Sequence, residues 1–357
     1  MVSKTNLRPL YFLLLILSLT AWSLGGCAET GVHEFDTHES TGTLDNLAES
    51  ETNPNESTDE TTDGDDSESG DIDGNGEDSS ASNGGIMRGG RCEGNYLLTL
   101  ASELAMIANC TEITGSLTFN GVVFESLDLP HLTHIGESLF IHEIQGLNSL
   151  EGFSSLQHIG KHFKVTNTVG LESLDGLENL QSIGDELYVT ENTDITQINA
   201  LRFVREIPGR MMHVSSNPKL QNIDGLESIT HVGGSVRIWN NSLITNIEGL
   251  RHLVSIGENS EDYRDLDISY NPNLLHIDAL QNIETVPGNL KIFDNRSLET
   301  IDGLTNIRGV GQNLTISDNS NLANCEAQAL LTTIQNQEGV GGEISIEGNS
   351  SLDNCDE

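Results

Sequence analysis

Positive charge is scarce in this chain. Of its 357 residues, 16 are Lys or Arg and 55 are Asp or Glu, for a formal net charge of −39. Such a surface repels polyanions, which excludes nucleic acid as a partner and makes an anionic lipid surface a poor one. Aromatic residues make up only 4%, so a folded core must be built from Leu, Ile and Val. The five cysteines include no CxxC pair, which argues against a zinc site. No HExxH helix, Walker loop, dinucleotide fingerprint or nucleophile motif occurs. An enzyme is therefore not expected, and neither is a cofactor or a metal.

The long apolar run is at the N-terminus. Lys4 and Arg8 precede an almost unbroken apolar stretch from Leu10 to Leu24, the charge-then-apolar order of a signal peptide. It falls short of the ~20 residues of a membrane-spanning helix. It ends in Leu24-Gly25-Gly26-Cys27, which resembles the bacterial lipobox, where an aliphatic and two small residues precede the cysteine that is acylated. Residues 1–26 are read as a lipoprotein signal peptide and Cys27 as the lipidated residue. Acyl chains at ~0.8 kcal/mol per buried methylene anchor a soluble body. The expected location is the bacterial cell envelope, with Ala28 rather than Asp after the cysteine favouring the outer membrane or cell surface.

Residues 27–91 form an acidic tether: 18 acids, with Arg88 and Arg91 as the bases, among Ser, Thr, Gly and Asn. Its apolar surface is too small to offset the entropy of ordering, so it is expected to be disordered. Asp71 to Gly76 opens like a calcium loop, but Ser82 stands where a bidentate Glu is needed.

From Leu117 a unit of about 24 residues recurs. Units begin at Leu187, Met212, Val236, Leu266, Leu290, Leu314 and Ile344, and each carries an asparagine five positions on: Asn192, Asn217, Asn241, Asn271, Asn295, Asn319 and Asn349. A period of this size means a solenoid. A short aliphatic-x-aliphatic strand cannot satisfy its backbone alone, so it pairs in parallel with the same strand one coil away, ~4.8 Å along the axis. The buried asparagines are expected to bond turn backbone and each other as an internal ladder. Units at Leu117, Leu139 and Phe163 keep the aliphatic spacing without the asparagine. The fold class is all-β: a right-handed parallel β-helix or leucine-rich-repeat-like solenoid of about ten coils with short helical caps at both ends.

With Cys27 assigned to lipid, Cys92, Cys110, Cys325 and Cys355 remain, and four cysteines allow three pairings. The local pairs Cys92–Cys110 and Cys325–Cys355 bracket the array, where solenoid ends need capping. Leu100, Leu104 and Ile107 have helical spacing, as do Ala327, Leu330, Leu331 and Ile334. The domain reading is an N-cap over 92–116, coils over 117–324 and a C-cap over 325–357. Disulfides imply an oxidising compartment.

Cys92-x17-Cys110 followed by Glu112-Ile113-Thr114-Gly115-Ser116-Leu117 resembles the opening of the receptor L domain, the β-helical ligand-binding module of insulin and EGF receptors. The resemblance runs over roughly Cys92 to Cys355. It implies a binding module and leaves the ligand open, because one fold hosts many partners.

Three groups are candidate sites. Outward strand positions hold Tyr188, Trp239, Tyr270 and Phe293, with Arg237 and Lys291 beside them. Trp239 and Phe293 share one offset two coils apart with Ser269 between, a gap of ~10 Å fit for a sugar ring or an apolar side chain. Arg237 and Lys291 stand ready for a carboxylate. The unit at Val236 is six residues longer than its neighbours, the excess lying within 258–264, and insertions in solenoids often mark a binding face. His131, His134, His142, His158 and His162 gather in early coils, with His134 and His158 at equivalent offsets; solvated side chains are expected there, with a surface metal site as the alternative. The recurring acids Glu151, Asp175, Asp224, Glu248, Asp278 and Asp302 are read as turn caps. The expected role is a monomeric, lipid-anchored surface module that binds an extracellular protein or glycan. The alternatives are a structural envelope protein without a ligand and a β-helical polysaccharide-degrading enzyme, which needs convergent carboxylates in a groove.

Overall fold

A computed structural model of the chain describes residues 90–351, which belong to one compact unit, Glu77–Glu357. The signal peptide, Cys27, the tether up to residue 89 and Cys355 lie outside the described residues.

The described residues wind into an all-β parallel solenoid. One long strand per coil joins an eleven-stranded parallel sheet that runs from Tyr96–Leu98 to Ile344–Glu347. Alternation sets each strand's orientation. Leu187 and Val189 are fully buried and pair in register with Met212 and Val214, while Tyr188 and Thr190 between them face outward. We number the coils 1 to 11 by these strands, coil 2 being Leu117–Asn120 and coil 8 Leu266–Ser269. A second corner carries two-residue strands, grouped into sheets of five, three and three. The side between holds one-turn 3-10 helices such as Asp224–Leu226 and Asp302–Leu304. Eleven coils at ~4.8 Å give an axial length of roughly 50 Å.

The repeat predicts ten coils and the sheet has one more. Tyr96 pairs with Leu117, and Arg91–Cys92 pairs with Glu112–Ile113, so the segment closed by Cys92–Cys110 forms a coil of its own. Within it the expected helix is a 3-10 stretch, Ala101–Met106. The Glu103 carboxylate accepts hydrogen bonds from Thr99 and Leu100 N–H and fixes a tight turn. Ile107 is buried and Leu104 packs partly against the core, whereas Leu100 is 61% exposed. At the other end an α-helix, Asn324–Gln335, buries Ala327, Leu330 and Ile334. It lies inside the last repeat, because strand Ile344–Glu347 follows it. Cys325 is disulfide-bonded, and its partner lies outside the described residues.

The interior is mainly Leu, Ile and Val, with a correction in the early coils. Phe119, Phe124, Phe153 and Phe163 are buried there, with Phe119 edge-on to Phe124 at 5.5 Å and to Phe153 at 6.0 Å. Coils 2 and 3 have Val122 and Ile144 where later coils have asparagine, and phenyl rings complete that wholly apolar interior.

Asn192, Asn217, Asn241, Asn271, Asn295 and Asn319 are fully buried, and Asn349 partly so. Each backbone N–H donates to the Oδ1 of the next, as from Asn217 to Asn241 at 3.2 Å and from Asn271 to Asn295 at 3.0 Å. Each Nδ2 donates to a strand carbonyl of the preceding coil, for example Asn295 to Ile268 at 2.8 Å. Thr168 ends the ladder in coil 4, its hydroxyl donating to Asn192 Oδ1 at 2.8 Å.

The residue before the ladder position turns the chain. It is left-handed in every coil from 2 to 11: Gly121, Glu143, Asn167, Glu191, Ser216, Asn240, Tyr270, Asp294, Asp318 and Gly348. Glycine and short polar residues suit this region, and a bulky side chain does not. Tyr270, at φ 56°, is the exception in the column.

Candidate ligand-binding face

The outward face of the long sheet has two columns. One runs Thr118, Phe140, Lys164, Tyr188, His213, Arg237, Asp267, Lys291, Thr315. The other runs through Thr190, Ser215, Trp239, Ser269, Phe293 and Ser317. Large and charged side chains concentrate in coils 3 to 9, flanked by Thr and Ser toward the ends.

Trp239, Ser269 and Phe293 are in register, as the repeat requires, but the gap between the two aromatic walls is filled. The Tyr270 ring stands edge-on between them, its centroid 5.5 Å from Trp239 and 4.9 Å from Phe293. Its left-handed backbone swings the side chain back over Ser269. The result is a continuous row of three rings in place of a slot. Tyr270 is 38% exposed, and Trp239 and Phe293 are half-buried.

The bases beside this row are not free. Asp267, only 4% exposed, lies between Arg237 and Lys291 on the ladder. It takes the Arg237 Nε at 3.2 Å and the Ser269 hydroxyl. Lys291 is bonded to Asp265 at 3.2 Å. The expectation of two cations waiting for a ligand carboxylate is corrected: each neutralises an acid of its own face.

A second cluster adjoins the first across His213. Glu186, 4% exposed, is ringed by Lys164 at 3.2 Å, Arg210 at 3.3 Å and His162 at 3.3 Å. Lys164 also lies 4.1 Å over the Tyr188 ring, which meets His213 edge-on at 5.5 Å. Burial, with Glu186 adding, pushes the Tyr188 phenol up to about 12. Burial holds His213 down to about 3, helped by Arg237 and Lys164, and its Nε2 has no hydrogen-bond partner. The insertion reaches this cluster. Tyr263 lies 5.4 Å from the Arg210 guanidinium, and Asn259 anchors the loop to Gly233 and Pro208 carbonyls. The aromatic strands and 258–264, separate in the sequence, thus border one surface.

With fold and face in view, comparison with known families bears on the earlier part of the array. Residues 109–225 match the Receptor L domain. No curated protein matches the chain. The match spans coils 2 to 5 and most of coil 6, so that part of the array is similar to the receptor L domain. The Glu186 cluster falls within the receptor L-domain match except for Tyr263. The Trp239–Tyr270–Phe293 row lies in the coils that extend the array beyond it.

Two other candidates disperse. His162, Asp185 and Glu186 offer donor atoms within 4.8 Å of one another, but Lys164 and Arg210 already supply positive charge to Glu186 and oppose a metal cation there. The five early histidines do not form one cluster. His142 and His162 border the long sheet, His134 and His158 belong to the short-stranded one, and His131 is exposed on its own turn. The recurring acids Glu151, Asp224, Glu248, Asp278 and Asp302 start the 3-10 turns, but their side chains make no cap bond. The residue two places earlier does, as Asn222 Oδ1 accepts Asp224 N–H at 3.2 Å and Asn246 that of Glu248 at 3.1 Å. Asp175, in the same column, likewise donates its N–H to the Ser173 hydroxyl at 3.3 Å.

Proposed function

We propose that this chain is a lipid-anchored bacterial surface protein whose solenoid binds an extracellular protein or glycan through the outward face of its long sheet. The observation that carries the reading is the uncovered row Trp239–Tyr270–Phe293, three rings in contact on an otherwise acidic body. Clustered aromatics of this kind are where binding energy concentrates. The similarity of residues 109–225 to the receptor L domain supports a binding role, and Leu24-Gly25-Gly26-Cys27 supports the anchor. No helix among the described residues is long and apolar enough to cross a membrane.

On this reading the ligand is bound and not turned over, and the protein acts as a monomer. The test is a glycan and surface-protein array probed with the full-length chain and with the double variant Trp239→Ala, Phe293→Ala. The variant should lose every ligand the native chain captures, since truncating a hot-spot aromatic costs ~2 kcal/mol or more. Its melting temperature should stay close to native. Retained binding sinks the proposal for this face, and product release from a polysaccharide sinks the non-enzymatic reading.

A further inference from the structure

The short-stranded sheet carries a pair of rings that the binding face does not use. His134 and His158 are direct ladder partners in adjacent coils, with ring centroids 4.7 Å apart and planes tilted by 33°. Each ring is held through the same nitrogen. His134 Nδ1 lies 2.8 Å from the Thr133 hydroxyl, and His158 Nδ1 lies 2.8 Å from the Ser182 hydroxyl. A hydroxyl accepts from Nδ1–H in the tautomer that leaves a lone pair on Nε2. Among the described residues neither Nε2 has a hydrogen-bond partner. Glu112 is His134's ladder partner on the other side, and its carboxylate has one long ion pair, to Arg91 at 3.8 Å.

We propose that His134 and His158 form a two-imidazole site for a transition-metal dication such as Zn2+, Ni2+ or Cu2+. In-register stacking brings the two rings side by side from neighbouring coils, 4.7 Å between centroids and tilted toward one another by 33° from parallel planes. Hydroxyls on both Nδ1 atoms fix tautomer and ring plane, the outer-sphere arrangement that metal-ligating histidines use. Imidazole donors select these metals over Ca2+ and Mg2+, which prefer oxygen. The contrast with His162–Asp185–Glu186 is electrostatic, because that cluster has two bases on its carboxylate and this one has none on its rings.

The test is calorimetric titration of chelator-treated full-length protein with ZnCl2 or NiCl2 in excess MgCl2. One saturable site is expected. His134→Ala and His158→Ala should each weaken it about tenfold or more, Ser182→Ala about tenfold through the lost outer hydrogen bond, and His142→Ala not at all. Ser182→Ala keeps both imidazoles and serves if a histidine variant fails to fold. Absence of a saturable site, displacement by Mg2+, or native affinity in His158→Ala or Ser182→Ala overturns the proposal.

Discussion

Asn217 Oδ1 accepts hydrogen bonds from both the backbone N–H and the side-chain amide of Asn192 one coil away, each at 3.1 Å. Its own Nδ2 donates to the Val189 carbonyl at 2.8 Å. Removing this link strands two donors of Asn192 and one carbonyl in a dry interior, at ~1–3 kcal/mol for each group left unpaired. Asn217→Ala is predicted to destabilise the protein by about 3 kcal/mol or more, measured as a shift of the urea midpoint. Asn179→Ala, which removes an exposed side-chain bond to the Ser154 carbonyl, should cost under ~1 kcal/mol. Equal costs would mean that the ladder contributes nothing beyond an ordinary surface amide.

The coil was legible because a period of about 24 residues repeats the strand, the asparagine and the turn with little variation. Parallel stacking then dictates which residues are neighbours. What the pattern hides is whatever depends on a side chain's sideways reach. The +10 Å slot between Trp239 and Phe293 follows from register alone, and Tyr270 closes it because its left-handed backbone redirects the ring. Its signal was available: the preceding-asparagine column holds small or polar residues in its other coils, so a tyrosine there is conspicuous. The Arg237–Asp267 pair was legible, since the two share one offset in consecutive coils, whereas the Lys291–Asp265 pair is hidden because Asp265 ends the coil lengthened by the insertion. The first coil escaped the repeat count because its segment reads as a disulfide-closed cap, although Tyr96 and Leu98 keep the inward alternation of the later strands.

His213 predicts an acid-side loss of stability. Burial depresses its folded-state pKa to about 3, against about 6.5 for an ordinary histidine. Between those values the unfolded chain binds the proton and the folded chain does not, so stability is complete above about pH 6.5 and falls as pH drops toward 3. The limiting slope for one such group is ~1.4 kcal/mol per pH unit. His213→Gln should flatten the stability profile across pH 6.5 to 4 relative to native protein, as followed by urea denaturation at each pH. Identical slopes would mean that His213 titrates in the folded protein as it does in the unfolded chain.

The cysteines are predicted to divide into one lipidated residue and two bridges. Cys92–Cys110 is formed, and Cys325 is bridged to a cysteine outside the described residues. Non-reducing peptide mapping is predicted to link Cys325 to Cys355 and leave Cys27 for acylation. Cys27→Ser should then abolish metabolic palmitate labelling and release the protein from the membrane fraction. A Cys27–Cys325 peptide, or labelling that survives the substitution, would remove the basis for the anchor.

Tyr270 offers the sharpest separation of binding from stability. A bulky left-handed residue costs ~1–2 kcal/mol of backbone strain, and its two edge-on ring contacts return ~0.5–1.5 kcal/mol each. Those contributions nearly cancel, so neither explains why the turn holds a tyrosine where its counterparts hold Gly, Asn, Asp, Ser or Glu. Strain of this kind collects where a site needs a particular side chain in place. Tyr270→Asn keeps a residue suited to the turn and removes the middle ring of the row. Its unfolding free energy is predicted to stay within ~1 kcal/mol of native. Affinity for any ligand captured through this face should fall at least tenfold, about 1.4 kcal/mol or more. Tyr270→Phe should keep the row and retain affinity if the ring alone is read, or lose it if the hydroxyl meets the ligand. Tyr270→Asn that binds as well as native while Trp239→Ala, Phe293→Ala does not would move the contact to the two flanking rings. A large loss of stability in Tyr270→Asn would instead make the tyrosine a structural wedge that props the row from beneath.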